Sequence, residues 1–311
     1  MSISDLRIVF LGTPDFAVAS LNALIEAGCN IVGVVTSPDK PAGRGMKLTE
    51  SAVKKYAVEK GLTILQPEKL KNPDFIDELK NLRADIQIVV AFRMLPEIVW
   101  NMPLLGTINV HGSLLPQYRG AAPINWAVIN GANETGVTTF KLQHEIDTGD
   151  ILMQTVIPIS ENENAGELHD KMMLIGAHTL VETLIGLLDG SVQPTNQNES
   201  IIINRAPKIF TETCKIDWNK SIDTVYNHIR GLSPYPAAFT FINGKKLKIF
   251  SSSKEIVDII NNEVGGFVTD YKTFLKFSCT DGYIVVTDLQ LEGKKRMKTE
   301  EFLRGFREEK A

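Results

Sequence analysis

The first 36 residues constrain the fold more than any other part of the chain. Residues 6–11 form a short apolar run that ends at a Gly-Thr-Pro turn, and residues 16–27 then repeat apolar side chains at helical spacing. A second apolar run, residues 31–36, follows. A strand, a helix and a strand within about thirty residues predict a βαβ unit of a parallel sheet, because strands that are covered on both faces are continuously apolar.

Further elements continue this alternation. Apolar runs predict strands at residues 86–92, 107–111, 136–142 and 151–159, and apolar periodicity predicts helices at residues 51–60, 73–82, 122–130 and 164–188. Asn164 and Glu167 form a capping-box pattern at the start of the last helix. The first βα turn has one glycine where the dinucleotide fingerprint has three, which disfavours NAD binding. The predicted fold class is therefore α/β, a Rossmann-like, doubly wound and mainly parallel sheet.

The pattern changes after a polar, aperiodic stretch at residues 191–200, from which a linker runs to about residue 207. A helix that begins after Ser221 is followed by β-rich runs around Asn-Gly and Asp-Gly dipeptides, which are strong hairpin signals. Several hairpins in about a hundred residues predict a small antiparallel barrel. The predicted organisation is a first domain at residues 1–190, a linker at residues 191–207 and a barrel domain at residues 208–311.

Composition excludes several classes of protein. With 43% hydrophobic and 23% charged residues and no uninterrupted run of about 20 apolar residues, the sequence is typical of a soluble globular chain, and a cytoplasmic location is expected. The three cysteines lack Cys-x-x-Cys spacing and the five histidines form no i, i+4 pair, so neither a disulfide framework nor a metal site is indicated. The formal net charge of −4 argues weakly against a bulk polyanion binder, although the part after Pro207 carries +3 and the part before it −7.

Residues 109–120, at the end of a predicted strand, hold candidate catalytic groups. Side chains two apart in a strand share a face, so Asn109 and His111 lie together at the carboxyl edge of the sheet, the usual place for a ligand site. With the carboxylate of Asp147 nearby, they would supply the donors and the proton relay that move an acyl group through a tetrahedral intermediate. No serine or cysteine is obviously paired with this histidine, which favours direct transfer over a covalent acyl-enzyme. The plainer alternatives are a structural histidine at a strand end and a carboxylate in a turn.

Two basic segments are candidates for contact with a phosphate-rich partner. The first carries Lys40, Arg44 and Lys47 among prolines and glycines that oppose regular structure in residues 38–45. The second is a cluster composed of Lys294, Lys295, Arg296 and Lys298. A small barrel with such a cluster could bind nucleic acid. For both segments the alternative is an ordinary solvated surface.

The stretch of residues 109–123, with Asp-Thr-Gly-Asp at residues 147–150, resembles the signature of the folate-dependent formyltransferases. The resemblance covers the whole chain, because it extends to Phe-Leu-Gly-Thr-Pro-Asp-Phe at residues 10–16 and to Pro-Ala-Gly-Arg-Gly at residues 41–45. It is greatest to the members of that family that act on initiator tRNA. These motifs are long and ordered, so a chance similarity is improbable.

The resemblance implies a reaction and a set of residue roles. The expected reaction transfers a formyl group from 10-formyltetrahydrofolate to the free amino group of methionine on initiator tRNA, without a metal, a membrane or an obligatory protein partner. The implied catalytic residues are Asn109, His111 and Asp147. The expected folate-binding residues are Ser113, Leu114, Leu115, Pro116, Arg93, Met94 and Leu95. Contacts with tRNA are expected from an OB-like carboxyl domain and from the basic residues Lys40, Arg44, Lys47, Lys294, Lys295, Arg296 and Lys298.

One departure from the family pattern leaves part of the folate site open. Residues 91–96 stand where the family more often has a Tyr-Gly pair, so Arg93 would either reach the folate carboxylates or face solvent. A sugar-nucleotide N-formyltransferase has the same Asn-x-His signature, although the basic loop favours tRNA. A non-catalytic RNA-binding protein is disfavoured because all three polar residues are present. A glycinamide ribonucleotide formyltransferase is disfavoured because that family usually lacks a second domain.

Overall fold

A seven-stranded sheet organises the first part of the molecule. The computed structural model describes residues 2–42, 47–198, 200, 202–257, 259–260 and 262–307. The elements up to residue 189 are, in chain order, β1 (Arg7–Gly12), α1 (Asp15–Glu26), β2 (Asn30–Val35), β3 (Lys40–Ala42), β4 (Lys47–Thr49), α2 (Ala52–Glu59), β5 (Ile64–Leu65), α3 (Pro73–Asn81), β6 (Ile86–Val90), α4 (Glu97–Trp100), β7 (Thr107–His111), β8 (Arg119–Gly120), α5 (Pro123–Ile129), β9 (Glu134–Lys141), β10 (Ile151–Pro158) and α6 (Ala165–Asp189).

The strand order of this sheet is β10-β9-β7-β6-β1-β2-β5. The strands from β7 to β5 in that order run parallel, while β9 is antiparallel to β7. The predicted mainly parallel α/β sheet is therefore confirmed. Every residue of β6 is buried, as expected for a strand that is covered on both faces. Because parallel strands end at the same edge of a sheet, the residues that follow β6 and β7 lie next to each other.

The short strands β3 and β4 overturn one prediction. Prolines and glycines predict irregular structure over residues 38–45, but β3 pairs antiparallel with β4, and Pro41 lies opposite Leu48. A two-stranded sheet consists of edge strands alone, where a proline without an N–H group can face outward. Arg44, which the sequence nominates as a tRNA contact, lies outside the described residues.

The helix α6 begins at the predicted capping box. Asn164 Oδ1 accepts the N–H of Glu167 at 3.0 Å, and the Glu167 carboxylate accepts the N–H of Asn164 at 2.9 Å. By length and composition α6 is the one described helix that could cross a membrane. Its Met172, Leu180 and Leu184 are buried inside the protein, as in the core helices of soluble proteins.

A curled antiparallel half-barrel forms the second part of the molecule, which confirms the predicted barrel-like fold. Its elements are β11 (Arg205–Ala206), a 3-10 helix (Glu212–Cys214), α7 (Ile222–Gly231), β12 (Ala238–Ile242), β13 (Lys245–Ile256), β14 (Phe267–Thr269), β15 (Leu275–Ser278), β16 (Gly282–Leu291), β17 (Met297–Lys298) and α8 (Thr299–Gly305). The main strand order is β12-β13-β16-β15-β14, and β17 pairs with β16. A shift in the pairing of β13 with β16 around Ser251 bends these long strands.

Local turn chemistry and one aromatic stack shape this half-barrel. Asn243 and Gly244 connect β12 to β13 with φ angles of 47° and 71°, the left-handed conformations that an Asn-Gly hairpin turn requires. Trp218 stacks on Phe277 at 4.9 Å between ring centroids, with both rings buried. The buried core of this part contains residues of α7, of α8 and of the long strands β13 and β16.

Contacts divide the chain into two compact units that interleave along the sequence. The first unit comprises Met1–Arg119, Gly136–Ile157 and His169–Asn204, and the second comprises Gly120–Thr135, Pro158–Leu168 and Arg205–Ala311. All three candidate catalytic residues belong to the first unit. The domain limits at residues 190 and 207 stay a prediction.

Candidate active site

Asn109 and His111 lie on β7 at the carboxyl edge of the sheet. In the pairing of β7 with β9, Asn109 is opposite Phe140 and His111 is opposite Thr138, so the two side chains share one face as the alternation predicts. His111 is buried, while Asn109 is half-buried. Within the described residues, no group is hydrogen-bonded to the Asn109 carboxamide, which leaves its N–H donors able to bind a substrate atom.

The imidazole of His111 is held at one nitrogen. Nε2 lies 3.0 Å from the backbone carbonyl of Tyr118, and because a carbonyl oxygen can only accept, Nε2 carries a proton and donates it. The Phe140 ring packs edge-on against the imidazole at 6.4 Å between centroids. Nδ1 is therefore the nitrogen at which His111 can gain or lose a proton.

The carboxylate of Asp147 faces that second nitrogen. Asp147 Oδ2 lies 4.0 Å from His111 Nδ1, a distance that permits electrostatic attraction but exceeds a hydrogen bond. Both side chains are mostly shielded from water, which strengthens the interaction between their charges. The structure thus brings together the imidazole and the carboxylate that the sequence nominates, 36 positions apart in the chain.

The loop that carries Asp147 is tightly held between β9 and β10. Asp147 adopts a left-handed backbone conformation, with φ of 57°. At Gly149 a built Cβ would lie only 1.7 Å from the carbonyl oxygen of Lys141, so only glycine fits this close approach. The Lys141 N–H donates to the Asp150 carbonyl at 3.0 Å and closes the loop.

The predicted folate segment, Ser113 to Pro116, is pinned by two residues that the sequence does not single out. Thr138 Oγ1 donates to the Ser113 carbonyl at 2.6 Å and accepts the Leu115 N–H at 3.1 Å. Gln154 Nε2 donates to the Leu115 carbonyl and to Thr138 Oγ1, both at 2.9 Å. Leu114, also nominated as a folate contact, is half-buried. Only the register of β9 against β7, which periodicity does not reveal, brings Thr138 to this segment.

In the second predicted folate segment, residues 93–95, the sequence left Arg93 either to reach the folate carboxylates or to face solvent, and the structure shows a third arrangement. The Arg93 guanidinium donates to the backbone carbonyls of Pro67 and of Glu68, the latter at 2.9 Å. Partial burial lowers the pKa of Arg93 from its ordinary value. Met94 is 74% exposed, and Leu95 packs against an apolar cluster of the first unit. Arg93 therefore neither faces solvent freely nor offers all its donors to a ligand.

The basic segments differ in how free their charges are. Lys40 is exposed on β3, and Lys47 lies on β4. In the second unit Lys294 and Lys295 are exposed. Arg296 binds Asp288 through two hydrogen bonds, at 2.9 Å and 3.0 Å, and its guanidinium lies 4.2 Å from the centroid of the Phe250 ring. Lys298 also contacts Asp288, at 3.2 Å.

The contacts with Arg296 and Lys298 change the pKa of the Asp288 carboxylate. Burial opposes ionisation, but the hydrogen bonds from Arg296 and Lys298 outweigh it and hold the pKa of Asp288 below its ordinary value. The single Asp288 carboxylate thus offsets one of the two positive charges of Arg296 and Lys298. In the described part of the chain, no group of three or more His, Cys, Asp or Glu side chains is arranged to hold a metal ion.

Comparisons with known proteins agree along nearly the whole chain. Residues 6–184 match the formyl transferase family and residues 208–307 match the formyl transferase C-terminal domain. The methionyl-tRNA formyltransferase of Phocaeicola vulgatus is 57% identical and that of Bacteroides thetaiotaomicron is 55% identical, each over 99% of this chain and 98% of its own length.

Two solved structures are similar in fold. The N-formyltransferase of Helicobacter canadensis, in complex with folinic acid and dTDP-3-aminofucose, has a TM-score of 0.68 at 20% identity and covers 94% of this chain and 100% of its own. HypX of Aquifex aeolicus, in complex with tetrahydrofolic acid, has a TM-score of 0.64 at 19% identity over 96% of this chain. The match spans 47% of the length of that HypX chain. At these identities the likeness is one of fold alone.

Proposed function

The chain belongs to the formyl transferase family, and from this membership we propose that it transfers a formyl group from 10-formyltetrahydrofolate to the free amino group of methionine on initiator tRNA. Relatives 55% and 57% identical over nearly their whole length are named methionyl-tRNA formyltransferase. The observation that carries the proposal is the 4.0 Å approach of the Asp147 carboxylate to His111 Nδ1, beside Asn109. The product would be formylmethionyl-tRNA for the initiation of translation.

The proposed mechanism is direct attack without an acyl-enzyme. The methionine amino group attacks the formyl carbon, and negative charge develops on the formyl oxygen of a tetrahedral intermediate. The Asn109 carboxamide and protonated Nδ1 of His111 donate hydrogen bonds to that oxygen. Asp147 accepts the proton that the attacking nitrogen loses, directly or through one water. The bond between the formyl carbon and the folate nitrogen then breaks, and this nitrogen leaves as N–H with the relayed proton.

We assign the folate donor to the pinned loop from Ser113 to Pro116, including Leu114 and Leu115. Rigid main-chain groups beside the catalytic edge suit the planar amide pattern of a pterin, because a loop that is already ordered loses little conformational entropy on binding. The exposed Met94 and the adjacent Leu95 would add apolar contact. Arg93 would act mainly by fixing this segment to the carbonyls of residues 67 and 68.

The tRNA contacts are assigned to the two basic segments. Exposed Lys40, with Lys47 and Arg44, would meet phosphates near the acceptor end, and exposed Lys294 and Lys295 would meet them from the carboxyl part of the chain. Arg296 and Lys298 stay in this proposal as weaker contributors, because both are held by Asp288, whose single negative charge offsets part of theirs.

A formylation assay tests the proposed function. The purified protein is mixed with 10-formyltetrahydrofolate and either initiator methionyl-tRNA, elongator methionyl-tRNA or an amino-sugar nucleotide, and product is followed by mass spectrometry. Rapid formylation of the initiator tRNA alone is expected. Asn109→Ala and Asp147→Asn should each lower kcat by about 10²-fold. Formylation of the amino-sugar nucleotide instead, or near-normal kcat in both variants, would overturn the acceptor or the mechanism respectively.

A further inference from the structure

The segment after α6 is bound to the candidate active site through one carboxamide. Gln197 Nε2 donates to the carbonyls of Asp147 and Gly149, both at 2.8 Å. Its Oε1 accepts from the guanidinium of Arg119, at 3.0 Å from Nε and 2.7 Å from Nη2. Both hydrogens and both lone pairs of this carboxamide are therefore used. Its orientation follows from its partners, because the reverse orientation would face oxygen with oxygen and donor with donor.

Arg119 connects this carboxamide to the other catalytic group. Arg119 is buried and directly follows Tyr118, whose carbonyl accepts the Nε2 proton of His111. Gln197 thus bridges the turn at Tyr118 and Arg119, which holds the imidazole, and the loop that carries the carboxylate. Tyr118 and Asp147 both have left-handed backbones, with φ of 59° and 57°. Non-glycine residues keep such conformations only where surrounding contacts hold them.

Neighbours of Gln197 attach the same segment to the same two loops. Asn196 Nδ2 donates to Asp150 Oδ1 at 2.7 Å, next to the Asp147 loop. On the other side, the Tyr118 N–H donates to the Asn204 carbonyl at 2.7 Å, and the Asn204 N–H donates to Gln117 Oε1 at 2.9 Å. The segment is therefore fastened on both sides of Gln197.

We propose that Gln197 is a positioning residue that sets the separation of His111 Nδ1 and Asp147 for formyl transfer. Its hydrogen bonds go to the main chain of Asp147 and Gly149 and to the guanidinium of Arg119, so it acts through these groups. The inference rests on the proposed function for its assay and adds a role for a segment that the sequence predicts only as a linker. Loss of the carboxamide lets the Asp147 loop move away from His111 while the substrate contacts stay in place.

The test compares Gln197→Met with a matched control. Methionine keeps the side-chain length and removes both the donors and the acceptor. Gln193→Met changes an exposed glutamine of the same segment, whose Nε2 donates to the Gly190 carbonyl at 3.0 Å. Because a misplacement of about 1 Å can cost about 10²-fold in rate, Gln197→Met should lower kcat by roughly 10- to 100-fold with KM for both substrates unchanged, while Gln193→Met behaves as wild type.

A double-mutant cycle separates positioning from general damage. If Gln197 acts through Asp147, then Gln197→Met should cost less than about threefold in an Asp147→Asn background, because the carboxylate that it positions is already absent. A full, multiplicative loss in that background would overturn the proposal, and so would a kcat like that of the Gln193→Met control.

A second variant covers the case in which Gln197→Met fails to fold. Gln197→Glu keeps the acceptor for Arg119 but points oxygen at the carbonyls of Asp147 and Gly149, so the same fall in kcat is expected. Normal kcat in Gln197→Glu would overturn the positioning role. Wild-type protein that formylates an acceptor other than methionyl-tRNA would overturn the proposed function alone, and the cycle is then measured on that acceptor.

Discussion

Gly149→Ala is a sharp steric test of the Asp147 loop. The φ angle of Gly149 is outside the left-handed region, so an alanine there meets no backbone strain, and its effect comes from space alone. Its Cβ would lie 1.7 Å from the Lys141 carbonyl oxygen, 2.9 Å from the Lys141 carbonyl carbon and 3.3 Å from Phe140 Cδ2. Ordinary contact begins near 3.4 Å, so the loop and β9 must separate by roughly 1.7 Å.

The size of the effect follows from that displacement. Moving a catalytic group by about 1 Å can cost about 10²-fold, so kcat should fall by about 10²-fold or more, with KM for folate little changed because the Ser113 segment is pinned elsewhere, by Thr138 and Gln154. Overpacking should also lower the free energy of unfolding by about 1–3 kcal/mol. The folded enzyme would remain abundant, so lost stability would not explain the lost rate.

The assay measures kcat, both KM values and urea unfolding for Gly149→Ala beside Gly305→Ala. Gly305 ends α8, a built Cβ there meets no atom within 4 Å, and its φ is also outside the left-handed region. The control should therefore keep wild-type kcat and unfold no more easily than wild type. A folded Gly149→Ala enzyme with wild-type kcat would refute the close approach of this loop to β9 as a determinant of catalysis.

Three further predictions concern the second unit. Phe277→Ala should lower the free energy of unfolding by about 3–5 kcal/mol, because the ring is buried. Urea unfolding followed by tryptophan fluorescence measures this loss. Hydrogen bonds, first that of the Thr273 hydroxyl, lower the pKa of Asp270, so the ionised carboxylate stabilises the fold at pH values above its ordinary pKa near 4. In thermal melts, the Tm advantage of the wild type over Asp270→Asn should therefore shrink as the pH falls through the lowered pKa. Reversing the charges of Lys294 and Lys295 should reduce the salt dependence of tRNA binding by about one in log-log slope for each lost phosphate contact.

Each of these predictions has a result that contradicts it. A loss below about 1 kcal/mol for the phenylalanine variant would mean that the half-barrel core collapses around the cavity. A constant difference between the aspartate protein and its asparagine variant across that pH range would exclude the carboxylate as the stabilising form. An unchanged salt slope would leave the two exposed lysines as an ordinary solvated surface.

Much of the fold is predictable because its signals are local. Period-two alternation places Asn109 and His111 on one face of β7 whatever the partner strands are. The capping box at Asn164 and Glu167 satisfies main-chain groups within one turn. These features depend on residues a few positions apart, so the sequence states them directly.

The rest depends on register and on the paths of loops, which no short-range pattern contains. The sequence nominates Asp147 but cannot state its distance from His111, because that distance depends on the fold between them. The sequence likewise predicts that Arg93 binds the folate or faces solvent, whereas in the fold its guanidinium donates to the backbone carbonyls of residues 67 and 68.

The sequence by itself therefore determined the elements, the sheet class and the chemical groups of the site, since each follows from periodicity, turn propensity and residue type. Only the tertiary structure decided how those groups are spaced and supported. Gln197 is the clearest case, because it is a polar residue in an aperiodic segment and only long-range packing brings its carboxamide between Arg119 and the loop of Asp147.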